Sequence, residues 1–520
     1  MQTDFFYGQD VLTVKTAIGL AQKKLNGALS DSVRERVRQS SRYVQHMVEE
    51  GKTVYGITTG FGILANTKIS EEDAATLQYK ILQSHSVGVG DPVPDEIVRL
   101  MLITKVHSLA QGFSGVQLST LERILWHLES DVIPVVPEKG SVGASGDLAP
   151  LAHLFLPLIG LGEVFFRGRR VATAEVFKTF DLKPVSLGPK EGLALINGTQ
   201  FILAFAIKAV EKMHYCLEAA DIIGAMSLEA LTGTKAPFDE RLHQLRPFKG
   251  SQLVAQRLCA LLENSQIMQS HMDCGRVQDP YSLRCMPQVH GASRNAWLHL
   301  KTLTETEAAS VTDNPIIFGE DDTISGGNFH GQPLALPLDY ACFAAAEIGN
   351  ISDRRCYLLL EGKWGLPLLL MKRVGLNSGF MIPQYTTAAL VSENKTLCFP
   401  SSADSIPTSL GQEDHVSMGS ISGRKLNTVL DNLESILAIE LLCACQAIEF
   451  RRPLKSSAVL EAAHDFVRQF VGFAEEDRVF ADDINKIKTI LQQYSFVSHV
   501  QLFAESKNIL LNKAFAEFSL

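Results

Sequence analysis

The segment GSVGASGDLAP, residues 140–150, places Gly140, Gly143 and Gly146 among small side chains just ahead of an apolar run. Glycine tolerates backbone angles that other residues avoid. Such a segment can be an ordinary loop, an anion-binding loop, or a stretch whose own backbone reacts. A phosphate loop requires G-x-x-x-x-G-K-[ST], and no such run occurs. A nucleophilic Ser145 on a G-x-S-x-G elbow requires glycine where Asp147 stands. The third reading uses Ala144-Ser145-Gly146. The amide nitrogen of Gly146 attacks the carbonyl carbon of Ala144, closing a five-membered ring with loss of water. Loss of a second water from Ser145 leaves a methylidene conjugated with that ring, a strong electrophile. Alanine avoids crowding, serine supplies the leaving hydroxyl, and glycine frees the attacking nitrogen. A helix starting in DLAPLAHLFLPLIG would turn its positive end towards the ring and favour electron flow into it. The tripeptide alone decides nothing, since ~0.2 copies are expected by chance in a chain of this size.

The elements that must hold this segment are mostly helical. SDSVRERVRQSSRYVQHMVEEG (30–51) carries Val33, Val37, Val44, Met47 and Val48 on one stripe, with Gly51 placed to end the helix. Between 426 and 450, Leu426, Leu430, Leu433, Leu437, Leu441, Ala444 and Ile448 repeat at three and four. A helix apolar on several faces belongs inside a bundle. Residues 196–232 and 333–362 are also long and rich in Ala and Leu. EVFFRGRRVA (163–172) and PIIFGEDDTISGG (315–327) predict small hairpins with glycine-containing turns. The expected fold class is mostly α: a long-helix bundle core with a loop-rich N-terminal region carrying the reactive segment. The expected division is 1–195 for that region and 196–520 for the bundle.

Composition narrows the function classes. The chain of 520 residues is 46% hydrophobic and 20% charged, enough to build a large core. A net charge of −9 without a basic block argues against a general nucleic-acid surface. Nine scattered cysteines, an odd count, fit free thiols better than a disulfide framework. The start, MQTDFFYGQD, has no signal-peptide pattern, and LFLPLIGLG and LPLLLM are too short to span a bilayer. A soluble, cytoplasmic protein is expected, with no membrane or nucleic-acid partner. The fourteen histidines are dispersed, without H-E-x-x-H, and Cys443 and Cys445 lack zinc-knuckle spacing. No metal is expected.

Eight segments then occur in one order: YGITTGFG (55–62), GSVGASGDLAPLAH (140–153), LALINGTQ (193–200), VQDPYSLRCMPQVHGA (277–292), TDNPIIF (312–318), SGGNFHGQP (325–333), LNSGFMIPQ (376–384) and TSLGQEDHVSMG (408–419). In this the chain resembles the aromatic amino acid ammonia-lyase family, from the N-terminus to IEFRRPL (448–454), with a weaker match beyond. The resemblance implies that Ala144, Ser145 and Gly146 form the methylidene-imidazolone (MIO) electrophile, with no external organic cofactor. It implies Tyr55 as the base for the β-proton, a role that needs its phenol pKa of ~10 lowered. Arg284 matches the clamp on the substrate carboxylate, where a guanidinium binds both oxygens. Asn197, Gln278 and Tyr281 match polar groups around the electrophile and the substrate amine, and Phe329 matches a residue packed on the substrate ring.

Specificity rests on fewer positions. In ILQSHSVGVG the Ser84-His85 pair resembles the imidazole-selecting members, whereas phenylalanine-selecting ones carry an aromatic-leucine pair. Glu413 in GQEDHVSMG resembles the carboxylate offered to an imidazole. Thr58 departs from the Asn usual in the imidazole-selecting members, and some tyrosine aminomutases share the Ser-His pair. The resemblance thus implies elimination of ammonia from L-histidine to give trans-urocanate, by a homotetramer with shared sites. The alternatives are a tyrosine or phenylalanine lyase or aminomutase, an inactive helical scaffold, and a serine hydrolase using Ser145.

Overall fold

The computed structural model describes residues 4–54, 56, 57, 59, 71–272, 275–511 and 515–520. It is mostly helical, and the chain divides into two compact units. The first comprises Met1–Lys208, Leu300–Asp339 and Pro400–Arg424. The second comprises Ala209–His299, Tyr340–Phe399 and Lys425–Leu520.

In the first unit, helix Asp31–Glu49 starts where the Ser30 side chain accepts from the Val33 amide, and it buries the valine and methionine stripe. Gly51, at φ +67°, follows its end in the left-handed region that glycine adopts without strain. Helix Asp95–Ala110 is buried along nearly its whole length. The hairpin in EVFFRGRRVA forms as antiparallel strands Glu163–Phe166 and Arg169–Ala172, with Ile133–Pro134 paired to the first. The second hairpin pairs Ile316–Ile317 with Thr323–Ile324 in antiparallel register. Two further strand pairs, Asp4–Phe6 with Asn26–Ala28 and Val89–Pro92 with Pro137–Lys139, have no alternation long enough to show in the sequence. Helix Leu148–Phe155 begins directly after Asp147, so the GASGD segment does precede a helix N-terminus.

The long helices run over Gln200–Ala230, Gln332–Leu360 and Gly419–Glu449. The first starts later than its Ala- and Leu-rich run, because Asn197 is extended and Gly198 sits at φ +127°, which no helix accommodates. In the second unit, Leu426, Leu430, Leu433, Leu437, Leu441, Ala444 and Ile448 are all buried, as a central helix requires. That unit also buries charge. Arg257 and Arg294 pair with Glu218 at 2.9 and 3.0 Å, and both reach Asp221. Burial pushes the Glu218 carboxyl upward, but the two guanidiniums outweigh it and hold the pKa at about 2. No helix among the described residues is long and apolar enough to cross a membrane.

Candidate active site

The reactive segment is a tight turn locked from two sides within the first unit. Gly140, Gly143, Ser145 and Gly146 have φ of +133°, +84°, +50° and +84°. For Ser145 this left-handed conformation costs roughly 1–2 kcal/mol, so the surroundings must impose it. On one side, Gly198 donates its N–H to the Ser145 carbonyl at 3.2 Å and accepts from the Asp147 N–H at 2.7 Å. A β-carbon on Gly146 would lie 2.0 Å from the Gly198 oxygen, so only glycine fits. On the other side, Met418 N–H donates to the Val142 carbonyl at 3.0 Å and Ser420 Oγ to the Ser141 carbonyl at 2.8 Å. Ala144 packs against Val416 and Met418.

Asp147 ties this turn to the long helix behind it. Its Oδ2 accepts the Phe201 and Ile202 amides at 3.1 and 3.0 Å, and its Oδ1 accepts Ser141 Oγ at 3.1 Å. Complete burial nevertheless raises its pKa to about 7, the hydrogen bonds opposing only part of the shift. Lys105 Nζ donates to the Asn197 carbonyl at 2.6 Å, and burial lowers its pKa to about 7 against the pull of Asp313. Asn197 is itself buried, and among the described residues its side-chain oxygen has no hydrogen-bond partner. A buried amide oxygen left open in this way is suited to a donor brought in from outside, such as an amine.

Glu413 reaches the same turn. Ser145 Oγ donates to Glu413 Oε1 at 3.2 Å, across 268 positions of sequence. Thr408 Oγ1 holds the other carboxylate oxygen at 2.9 Å. His85 closes helix Glu71–His85, half-buried, with Nδ1 3.0 Å from Ser84 Oγ. Burial lowers its pKa, while the Ile81 carbonyl and the charge of Glu413 pull it upward. Phe329 is half-buried in the loop ahead of helix Gln332–Leu360.

Gln278, Tyr281 and Arg284 lie in the second unit. Asp279, buried between them in sequence, accepts the Thr234 amide at 2.7 Å and pairs with Arg276 at 3.1 Å. Its carbonyl accepts Arg284 Nε at 3.0 Å, and the guanidinium sits 4.4 Å from the Tyr281 ring centroid. Among the described residues no carboxylate pairs with Arg284, which keeps it available for one. Gln278 is exposed and Tyr281 is 71% exposed. Tyr55 and Thr58 lie outside the described residues.

The small side chains, the imposed turn and the unpartnered Asn197 oxygen fit an electrophile formed from residues 144–146. A metal is another matter. His46, Glu50 and Asp321 come close enough to share an ion, but they lie at the surface, and Lys52 already pairs with both carboxylates. Several residues of this site escaped the reading of the sequence. Asp147 and Gly198 both stand in matched segments, and nothing in the sequence gives either a role at the turn. An Asn-Gly pair interrupting an apolar run was the available signal for Gly198. Lys105 carried none, and Thr408 stood at the head of a matched segment without a role of its own.

Known proteins share this sequence and this fold. The sequence model of the aromatic amino acid lyase family matches residues 12–469, beyond both ends of the span from YGITTGFG to TSLGQEDHVSMG. Histidine ammonia-lyase of Vibrio cholerae is 48% identical over 459 residues, covering 88% of this chain and 90% of that relative. The crystal structure of histidine ammonia-lyase from Trypanosoma cruzi superposes with a TM-score of 0.89 at 40% identity, covering 97% of this chain and 96% of that one. Tyrosine aminomutase from Streptomyces globisporus superposes at 0.91 with 32% identity, covering 96% and 99%. With the reactive turn, its glycine partner and the motif order all in place, the chain belongs to the aromatic amino acid lyase family.

Proposed function

We propose that this enzyme eliminates ammonia from L-histidine to give trans-urocanate. The observation that carries the reading is the hydrogen bond of Ser145 to Glu413 at a glycine-locked turn. MIO, formed from Ala144, Ser145 and Gly146, supplies an electrophilic carbon that makes the substrate amine a leaving group. Arg284 binds the substrate carboxylate through its paired N–H donors. Tyr55 removes the β-proton, and Asn197, Gln278 and Tyr281 hold the amine and orient it. Phe329 packs on the ring. A neutral imidazole has one donor and one acceptor nitrogen. Glu413 accepts from the first. His85 serves the second, its ring held by the Ser84 hydroxyl 3.0 Å from Nδ1.

Phenylalanine satisfies neither partner, and an unpaired buried polar group costs ~1–3 kcal/mol, which corresponds to a ~10- to 100-fold preference for histidine. Tyrosine is the competing substrate, because its hydroxyl can bond to His85 and a tyrosine aminomutase shares the fold. The test is the product spectrum from a panel of aromatic amino acids. L-Histidine is expected to have the highest kcat/KM, and faster formation of coumarate from tyrosine than of urocanate overturns the assignment.

We also propose a cytoplasmic homotetramer with shared sites. Tyr340, Phe343 and Tyr357 on helix Gln332–Leu360, and Ile382 and Tyr385 on helix Met381–Leu397, are exposed aromatic or apolar side chains of the second unit. Large apolar side chains left exposed along two helices are suited to association with further copies of the chain. Eight free cysteines among the described residues suit a reducing compartment.

A further inference from the structure

We propose that Glu413 has an earlier task than holding substrate: it is the general acid that expels the Ser145 hydroxyl while the electrophile is being made. The proposal rests on the reading that Ala144-Ser145-Gly146 cyclise. Ring closure joins Gly146 N to the Ala144 carbonyl carbon. The Ala144 oxygen departs as water with the amide protons of Gly146 and Ser145. The second water requires more help. The Ser145 Cα–H bond must break, its electron pair must form the Cα=Cβ bond, and Oγ must leave Cβ. Hydroxide is a poor leaving group unless it takes a proton as it goes.

Glu413 is placed to supply that proton. Among the described residues its Oε1 is the single hydrogen-bond partner of Ser145 Oγ, at 3.2 Å. The carboxylate is aimed rather than loose. Thr408 Oγ1 holds Oε2 at 2.9 Å, and Thr408 N–H donates to the Glu413 carbonyl at 2.9 Å. The other carboxylate beside the turn is committed elsewhere, since Asp147 spends Oδ2 on two helix amides and Oδ1 on Ser141. In the unreacted chain the Glu413 carboxylate accepts from the hydroxyl. Once it has taken up the Cα proton, the same contact reverses, and the carboxylic acid donates to Oγ. Water leaves and the carboxylate is regenerated, so atoms and charge balance without any co-reactant. Loss of Oγ then frees Oε1, the oxygen that the substrate ring N–H needs. One carboxylate thus serves maturation first and recognition afterwards.

The experiment follows the intact mass of full-length chain made by cell-free translation, sampled over time. Wild type is expected to lose two waters. Glu413→Gln, which keeps the shape but cannot carry the proton, should stay heavier by at least one water, with completion slowed ~10²-fold. Thr408→Val, which unties Oε2, should slow completion about tenfold by leaving the carboxylate less well aimed. A Glu413→Gln chain that loses both waters at the wild-type rate overturns the proposal. If Glu413→Gln does not fold by circular dichroism, Thr408→Val maturing at the wild-type rate does so instead. Wild type found at its full sequence mass overturns the electrophile reading itself, and this proposal with it.

Discussion

Gly146 and Ser145 make opposite demands on the same turn. Ser145 must be held at φ +50° although it has a side chain, and Gly146 must have none because the Gly198 carbonyl occupies the space. Gly146→Ala therefore adds a clash that no small adjustment relieves, on top of a backbone cost of ~1–2 kcal/mol. The expected result is a chain at full sequence mass, with a lowered melting temperature and no lyase activity. Ser145→Ala should instead fold normally, lose at most one water by intact mass, and be inactive. At His85, replacement by Phe removes the partner proposed for one imidazole nitrogen. Histidine turnover should fall by ~10- to 100-fold, with any activity on phenylalanine rising, as competition assays with both substrates will show.

At the scale of elements, short polar links decide what the helices carry. The 276–284 segment is mounted on the end of helix Gln200–Ala230 through Asp279, which bonds Thr234 and Arg276 while its carbonyl steadies Arg284. Asp279→Asn loses the ion pair with Arg276 and sets an amide hydrogen against existing donors, at ~1–3 kcal/mol. If Arg284 is the carboxylate clamp proposed above, the expected effect is a KM raised about tenfold with a smaller change in kcat. An unchanged KM in steady-state kinetics would count against this mount. Two buried histidines of neighbouring helices add a pH dependence to stability. His127 donates from Nδ1 to the Val132 carbonyl at 2.8 Å, and His107 Nδ1 accepts the Gly8 amide at 3.2 Å. Burial lowers both pKa values to about 4. Below the ordinary value near 6.5 the unfolded chain takes up these protons and the native chain does not. Stability is therefore complete above that pH and drains as pH falls towards 4, by at most about 1.4 kcal/mol per pH unit for each ring. Urea midpoints between pH 7 and 4.5 should show this slope, and His127→Gln should flatten it.

For the whole molecule, the telling feature is what a single chain leaves uncovered. Helix Met381–Leu397 buries only Pro383, Thr387 and Asn394 among its described side chains, while Ile382 and Tyr385 face out. Tyr281, matched to the substrate site, is 71% exposed, and Val277 beside it is 95% exposed. A tyrosine that handles a reacting amine needs a drier setting, which other copies of the chain can provide. Light scattering is expected to give a tetramer. Mixing inactive Tyr55→Phe chains with inactive Ser145→Ala chains should restore part of the activity if the two residues of one site come from different subunits. An active monomer that does not change with concentration would end this reading.

The sequence by itself determined the helices, because a stripe such as Val33, Val37, Val44 and Met47 is a local pattern whose burial follows from helical period alone. It made Ala144, Ser145 and Gly146 candidates for ring closure too, since that step needs only adjacent residues, although the motif order around them was required to single them out. The hairpins were legible for the same reason, their turns being local. Tertiary structure decided what presses on those atoms. The Gly198 carbonyl against Gly146, the Asp147 carboxylate at the start of helix Gln200–Ala230, and Lys105 on the Asn197 carbonyl join residues far apart in the chain. The contact of Ser145 with Glu413 spans 268 positions. No periodicity or spacing encodes such contacts, because they exist only after packed helices have brought their connecting loops to one place, and there the chemistry of the turn is set.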